Sequence, residues 1–144
     1  MSSKKIAIAA DHAGYDLKRA LKQRLEDDGF DVVDLGTDDT ESVDYPDFAN
    51  VLAREVADGK SARGVLLCGS GIGMSIAANR FSGIRAALVH DEEDARLARQ
   101  HNDANVLVLG ARRITQGQAE DCLKTFLSTP FEGGRHQRRV QKMA

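Results

Sequence analysis

Five short apolar runs alternate along the chain with five longer amphipathic ones, and no other feature restricts the fold as much. The apolar runs cover residues 5–10, 30–35, 64–68, 84–89 and 105–109. The segments 15–28, 48–57, 74–79, 92–100 and 116–127 read as helices, with Leu17, Leu21 and Leu25 marking one apolar face. Gly29 is a stop signal for the first helix, and Pro46 stands near the start of the second. Strands that look buried on both faces, each followed by a helix, predict a parallel sheet covered on both sides. Right-handed crossovers and a length of 144 residues favour an open α/β fold over an eight-unit barrel. The expected architecture is a three-layer, doubly wound, Rossmann-like sheet of five parallel strands in a single domain, residues 1–144. Pro130 and the Gly133-Gly134 pair detach a basic tail, residues 130–144, expected to be helical.

Composition narrows the function classes. With 42% hydrophobic and 29% charged residues the chain is neither fibrous nor broadly disordered. No apolar run approaches the roughly 18–20 residues needed to cross a bilayer, and Met1 to Lys5 leads straight into a strand. No membrane partner and a cytoplasmic location are therefore expected. The 20 basic and 22 acidic residues leave a net charge of −2, which lacks the basic stripe of a nucleic-acid binder. The two cysteines, Cys68 and Cys122, are too few for a disulfide framework and are expected to be free thiols.

Ligands of such sheets bind beyond the carboxyl ends of the strands, so chemistry is sought there first. The third strand runs into Cys68-Gly-Ser-Gly-Ile-Gly73, which opens a helix. Its glycines let backbone amides approach an oxyanion or phosphate, although the same pattern also makes an ordinary tight turn. A thiol beside a helix start can act as a thiolate base, or it can simply close a strand as a small core residue. Asp11-His12 ends the first strand, where Asp suits a helix cap and His suits proton transfer or phosphate contact. Tyr45-Pro46 is compatible with a turn alone, and His101-Asn102 with a helix C-cap. In the tail, Arg135 and Arg139 lie four apart and on a helix share one face, while Arg138 points elsewhere. No His, Cys and carboxylate set has metal-ligand spacing along the sequence.

Taken together, Ala10-Asp-His-Ala-Gly14, Asp44-Tyr-Pro46, Cys68-Gly-Ser-Gly-Ile-Gly73, Ala77-Ala-Asn79, Arg99-Gln-His-Asn-Asp103 and Glu132-Gly-Gly-Arg-His-Gln137 resemble the ribose-5-phosphate isomerase type B family. That family also contains galactose-6-phosphate isomerase subunits. The resemblance runs from Lys5 to about Met143. It implies interconversion of D-ribose 5-phosphate and D-ribulose 5-phosphate through a cis-enediolate, in the non-oxidative pentose phosphate pathway, with no cofactor and no metal. On this reading Cys68 carries the proton between C2 and C1, and the backbone of Gly69, Ser70, Gly71, Ile72 and Gly73 holds the enediolate oxygen. Ser70 assists at the reacting centre, and His101 moves the proton that opens the furanose ring. Asp11 and Tyr45 position hydroxyls, Asn102 contacts the sugar, and His12, Arg112, Arg135 and Arg139 meet the phosphate. Some family members use a glutamate further along this segment in place of the cysteine; position 75 here is Ser75. A six-carbon sugar phosphate, allose 6-phosphate or galactose 6-phosphate, is the enzyme alternative, and a phosphate- or nucleotide-binding regulatory module is the alternative of another class.

Chain geometry adds an expectation about assembly. Cys68 ends a strand, whereas His101 follows a helix running back from the same edge, about 15 Å away at 1.5 Å per residue. One chain is not expected to join them. A homodimer with shared sites, alone or as a dimer of dimers, would.

Overall fold

The computed structural model describes residues 4–144; residues 1–3, which open the expected lead-in to the first strand, lie outside the described residues. Five strands form one parallel sheet: β1 (Lys5–Ala10), β2 (Asp31–Asp34), β3 (Arg63–Cys68), β4 (Ala86–Leu88) and β5 (Val106–Gly110). Six helices accompany them: α1 (Tyr15–Asp27), α2 (Tyr45–Ala57), α3 (Ile72–Ala78), α4 (Glu92–Asn102), α5 (Gln116–Ser128) and α6 (Arg135–Gln141). The expected α/β fold with a helical tail is the fold observed.

The strand order is β2-β1-β3-β5-β4. Steps from β1 to β2 and from β4 to β5 run toward the β2 edge, and their helices α1 and α4 lie on one face. Steps from β2 to β3 and from β3 to β4 run the other way, and α2 and α3 lie on the opposite face. Keeping every crossover right-handed requires this partition, because reversing the step reverses the face. The two cores record it residue by residue. Ile6, Ile8, Val65, Leu67, Leu107 and Leu109 pack against α1, α4 and α5, while Ala7, Ala9, Leu66, Cys68, Val106 and Val108 pack against α2 and α3. The alternation is the period-two pleat of strands buried on both sides.

Several boundaries differ from those read off the sequence. The fourth strand shrinks from 84–89 to Ala86–Leu88, an edge strand paired only to β5. Helix α2 starts at Tyr45, with Pro46 in its first turn, where a missing N–H costs nothing. Helix α4 runs on through His101 and Asn102, so neither caps it. The left-handed residue is Asp103, with φ 48°, and its side chain holds Arg99 at 2.9 Å.

One buried charge ties the β2 edge to its helix. Lys18 is 1% exposed and its Nζ lies 2.6 Å from Asp34 Oδ1. Burial opposes ionisation of Asp34, yet Lys18, the Gly36 amide and Lys22 together hold its carboxyl below the ordinary range. Lys18→Ala should lower the unfolding free energy in urea by about 3 kcal/mol, as expected when one partner of a buried pair is removed. Because the folded carboxyl is the stronger acid, its contribution is present above about pH 4 and fades as the pH falls through the folded value. Lys18→Ala should therefore lose less stability on acidification than the wild type.

Candidate active site

Strands β1 and β3 are neighbours whose outgoing connections diverge, since β1 leads to β2 on one side and β3 leads to β4 on the other. That divergence opens a crevice at their carboxyl ends. The register pairs Ala10 with Leu67, and the Asp11 amide donates to the Leu67 carbonyl at 3.2 Å. Asp11 and Cys68 thus stand side by side at the mouth of the crevice.

Cys68 is 5% exposed, and its Sγ accepts the Gly71 N–H at 3.2 Å. The turn that allows this needs Gly71 at φ 81°. A Cβ there would stand 2.5 Å from Leu88 Cδ1, so both the backbone angle and the space exclude a side chain. The Ile72 N–H donates to Ser70 Oγ at 3.2 Å. Two loop amides are therefore engaged, whereas the Gly73 amide, in the first turn of α3, meets no acceptor among the described residues. Such an unpaired donor is available to an oxyanion.

Other side chains expected at the site gather around this loop. The Arg112 guanidinium lies over Gly69, where a Cβ would stand 3.1 Å from Nη1. Hydrogen bonds from Ala111 to the Cys68 carbonyl at 2.8 Å and from Arg112 to the Gly69 carbonyl at 3.0 Å lock the two loops together. The Tyr45 ring covers Gly73, with Oη 2.7 Å from the position of a Cβ. Asp11 is buried and its Oδ1 caps a short 3₁₀ turn by accepting the Ala13 and Gly14 amides at 3.0 and 3.1 Å. The capping role weighed for Asp11 is thus realised, and one carboxylate oxygen makes both bonds. His12 Nδ1 accepts the Val43 N–H at 3.1 Å, which leaves Nε2 as the ring's donor. Val43 gave no sign of this in the sequence.

A second cluster forms elsewhere. His101 and Asn102 occupy the last turn of α4, just before the amino end of β5, whereas Cys68 ends β3 at the carboxyl edge. Helix α6, which carries Arg135 and Arg139, packs there against α4. The His101 and His136 rings stack at 4.3 Å with 12° between planes, and Glu132 Oε1 lies 3.5 Å from His136 Nε2. Burial first, then His101 and Arg135, lowers the His136 imidazole below its ordinary range. Sequence reasoning missed Glu132 and His136; their four-residue spacing was the available signal. It also found no metal-ligand set, because the three groups come from segments about thirty residues apart. Within one chain the fold unites Asp11, His12, Tyr45, Cys68, Ser70 and Arg112, and gathers His101, Asn102, Arg135 and Arg139 at the opposite edge.

A surface hollow of about 680 Å³ runs along α1 beside Lys18, Lys22 and Asp34. Cys68 does not line it, whereas both partners of the Lys18–Asp34 pair do.

A Cβ at Gly110 would stand 2.5 Å from the Ser70 carbonyl oxygen, so Gly110→Ala should push the Cys68 loop out of place. Turnover should fall at least about 100-fold, the scale of a 1 Å misplacement, with the circular dichroism spectrum unchanged. Cys122 is fully buried, and burial with the nearby carboxylates raises its thiol to about 11. Iodoacetamide should therefore alkylate one thiol per native chain, located at Cys68 by peptide mapping.

Comparison with known proteins gives a consistent result. Residues 6–143 match the sequence profile described as Ribose/Galactose Isomerase. Ribose-5-phosphate isomerase B of Escherichia coli is 45% identical over 96% of this chain and 93% of its own. The ribose-5-phosphate isomerase B structure from Clostridium thermocellum superposes with a TM-score of 0.96 at 48% identity, covering 96% of this chain and 94% of that one. The Mycoplasma genitalium enzyme, solved with ribulose-5-phosphate bound, gives a TM-score of 0.93 at 44% identity, covering 96% and 93%.

Proposed function

The chain belongs to the ribose/galactose isomerase family and is an isomerase, and from that premise we propose that it interconverts D-ribose 5-phosphate and D-ribulose 5-phosphate with Cys68 as the base. The observation that carries the reading is Cys68 Sγ held by the Gly71 amide inside a glycine loop covered by Arg112 and Tyr45. The Mycoplasma genitalium relative with ribulose-5-phosphate bound supports the five-carbon substrate. The reaction takes its place in the non-oxidative pentose phosphate pathway.

The chemistry balances without a redox partner. The furanose first opens as His101 moves the proton between the ring oxygen and the anomeric hydroxyl. The Cys68 thiolate then takes the C2 proton, the released electron pair forms the C1–C2 double bond, and the carbonyl oxygen becomes the enediolate oxyanion. Donors such as the free Gly73 amide stabilise that charge, each worth about 3 kcal/mol in the transition state. The thiol returns its proton to C1 while the O2 hydroxyl proton passes to O1, leaving a ketone at C2. Asp11 and Tyr45 orient the hydroxyls, Ser70 holds the loop, and His12 and Arg112 face the phosphate.

His101 and the two tail arginines must reach this loop from another chain. We assign them to the site of a second copy, giving a homodimer with two composite sites. The surface beside the Cys68 loop supports that assignment. Ile72 and Ile76, one turn apart on α3, are 53% and 60% exposed, and Val51 on the adjoining α2 is 45% exposed. Apolar side chains grouped in this way mark a protein contact.

A coupled assay should show turnover of ribose 5-phosphate at least about tenfold more efficient than of allose 6-phosphate, a discrimination equal to about 1.4 kcal/mol. The reverse preference would move the substrate to the six-carbon class. Cys68→Ala should lose about three orders of magnitude or more in kcat, the signature of a removed general base. Arg135→Ala with Arg139→Ala should raise KM for ribose 5-phosphate by more than about tenfold, since each charge-assisted phosphate contact contributes roughly 1.5–3 kcal/mol. An unchanged KM would return the tail to the status of a solvated helix.

A further inference from the structure

His101, Glu132 and His136 each offer one ligand atom, and these atoms all lie within 4.8 Å of one another. We propose that the three form a binding site for a borderline divalent transition-metal ion of the Zn²⁺ type, and that its occupancy inhibits the enzyme. Two imidazole nitrogens and one carboxylate oxygen are a donor set that Zn²⁺ takes in a tetrahedral site with water in the fourth position. Hard cations such as Mg²⁺ and Ca²⁺ prefer all-oxygen sites and would be excluded.

The backbone already holds the three positions. Glu132 N–H donates to the Gln100 carbonyl at 3.1 Å, anchoring the segment before α6 to the residue next to His101. His136 N–H donates to the Gly133 carbonyl at 3.0 Å and starts the helix that sets the imidazole four residues beyond Glu132. His136 is buried, His101 is half-buried and Glu132 is exposed, so one side of the cluster is open to an entering ion. Coordination takes the neutral imidazole, and burial, His101 and Arg135 move the His136 ring in that direction. Arg135 and Arg139 lie close enough to act on the same ring and oppose a dication, with Glu132 as the acidic counterweight. Affinity should therefore be on the order of micromolar, weaker than that of a closed structural zinc site.

Stacking and coordination exclude each other. Ring-nitrogen lone pairs lie in the ring planes, and nearly parallel planes do not converge on a shared ion. Metal–ligand bonds of about 2.0–2.1 Å in a tetrahedron need ligand atoms about 3.3 Å apart. Rotation of the more exposed His101 ring, with closure of roughly 1.5 Å, meets that requirement. In the metal-bound form a His101 nitrogen is coordinated and no longer carries a proton, and α6 is tied to α4. Inhibition rests on the role given to His101 under Proposed function; binding does not.

The two are tested separately. Metal-free protein is titrated with Co²⁺, followed by the visible absorption of tetrahedral cobalt, and with Zn²⁺ by calorimetry. The expected result is one ion per chain, binding that weakens as the pH falls through the histidine range, and affinity at least tenfold lower in Glu132→Gln and in His136→Gln. Glu132 is exposed, so its variant tests the site even if His136→Gln fails to fold. Cys68→Ser should bind as the wild type does. No binding at about 100-fold above micromolar ion, or binding lost in Cys68→Ser and retained in Glu132→Gln, would overturn the site. Zn²⁺ should also slow turnover of ribose 5-phosphate, EDTA should restore it, and Glu132→Gln should resist inhibition relative to its own metal-free rate. Binding as described with turnover unaffected would overturn the inhibition and, with it, the part given to His101.

Discussion

A parallel sheet whose crossovers all share one hand sends every strand out at one edge and brings every connecting helix back to the other. In this chain that constraint places the Cys68-bearing turn after β3 and the histidine at the end of α4 on opposite edges. No loop adjustment repairs the separation, because α4 is a continuous helix of 11 residues packed against α5. Two clusters result, each with part of the expected chemistry, and the proposed homodimer is what would join them.

Within the carboxyl-edge cluster, shape comes from the absence of side chains. Gly69 makes room for the Arg112 guanidinium, Gly73 for the Tyr45 ring and Gly110 for the Ser70 carbonyl, while Gly71 supplies the left-handed turn that aims an amide at Cys68 Sγ. Four glycines therefore do for the Cys68 loop what bulky residues do for the core. Asp11 contributes differently. One of its oxygens accepts two backbone amides, which fixes the carboxylate at the mouth of the crevice.

Much of this was legible in the sequence because it is local. Periodicity located all five strands and the first five helices, and the glycine spacing after Cys68 marked the turn that the structure forms. The errors have physical causes. The run 84–89 looks like a full strand, but an edge strand with one neighbour keeps only three residues of ladder. Asn102 looked like a left-handed cap, yet Asp103 takes that conformation because its carboxylate holds Arg99. Stacking of His101 on His136 is tertiary, made across 35 positions by the packing of α6 on α4, and no pattern along the chain encodes it. The tail arginines belong to that same packing, which is why their distance from Cys68 emerges only in three dimensions.

Mixed dimers show whether each site is shared between chains. Inactive Cys68→Ala and inactive His101→Ala chains are co-refolded in equal amounts and assayed with ribose 5-phosphate. Random pairing makes about half of the dimers mixed, and a shared site leaves one of the two sites in each mixed dimer intact. With shared sites, about a quarter of wild-type activity should return. If Cys68 and His101 served from the same chain, every site would carry a lesion, and the absence of any recovered activity would contradict shared sites.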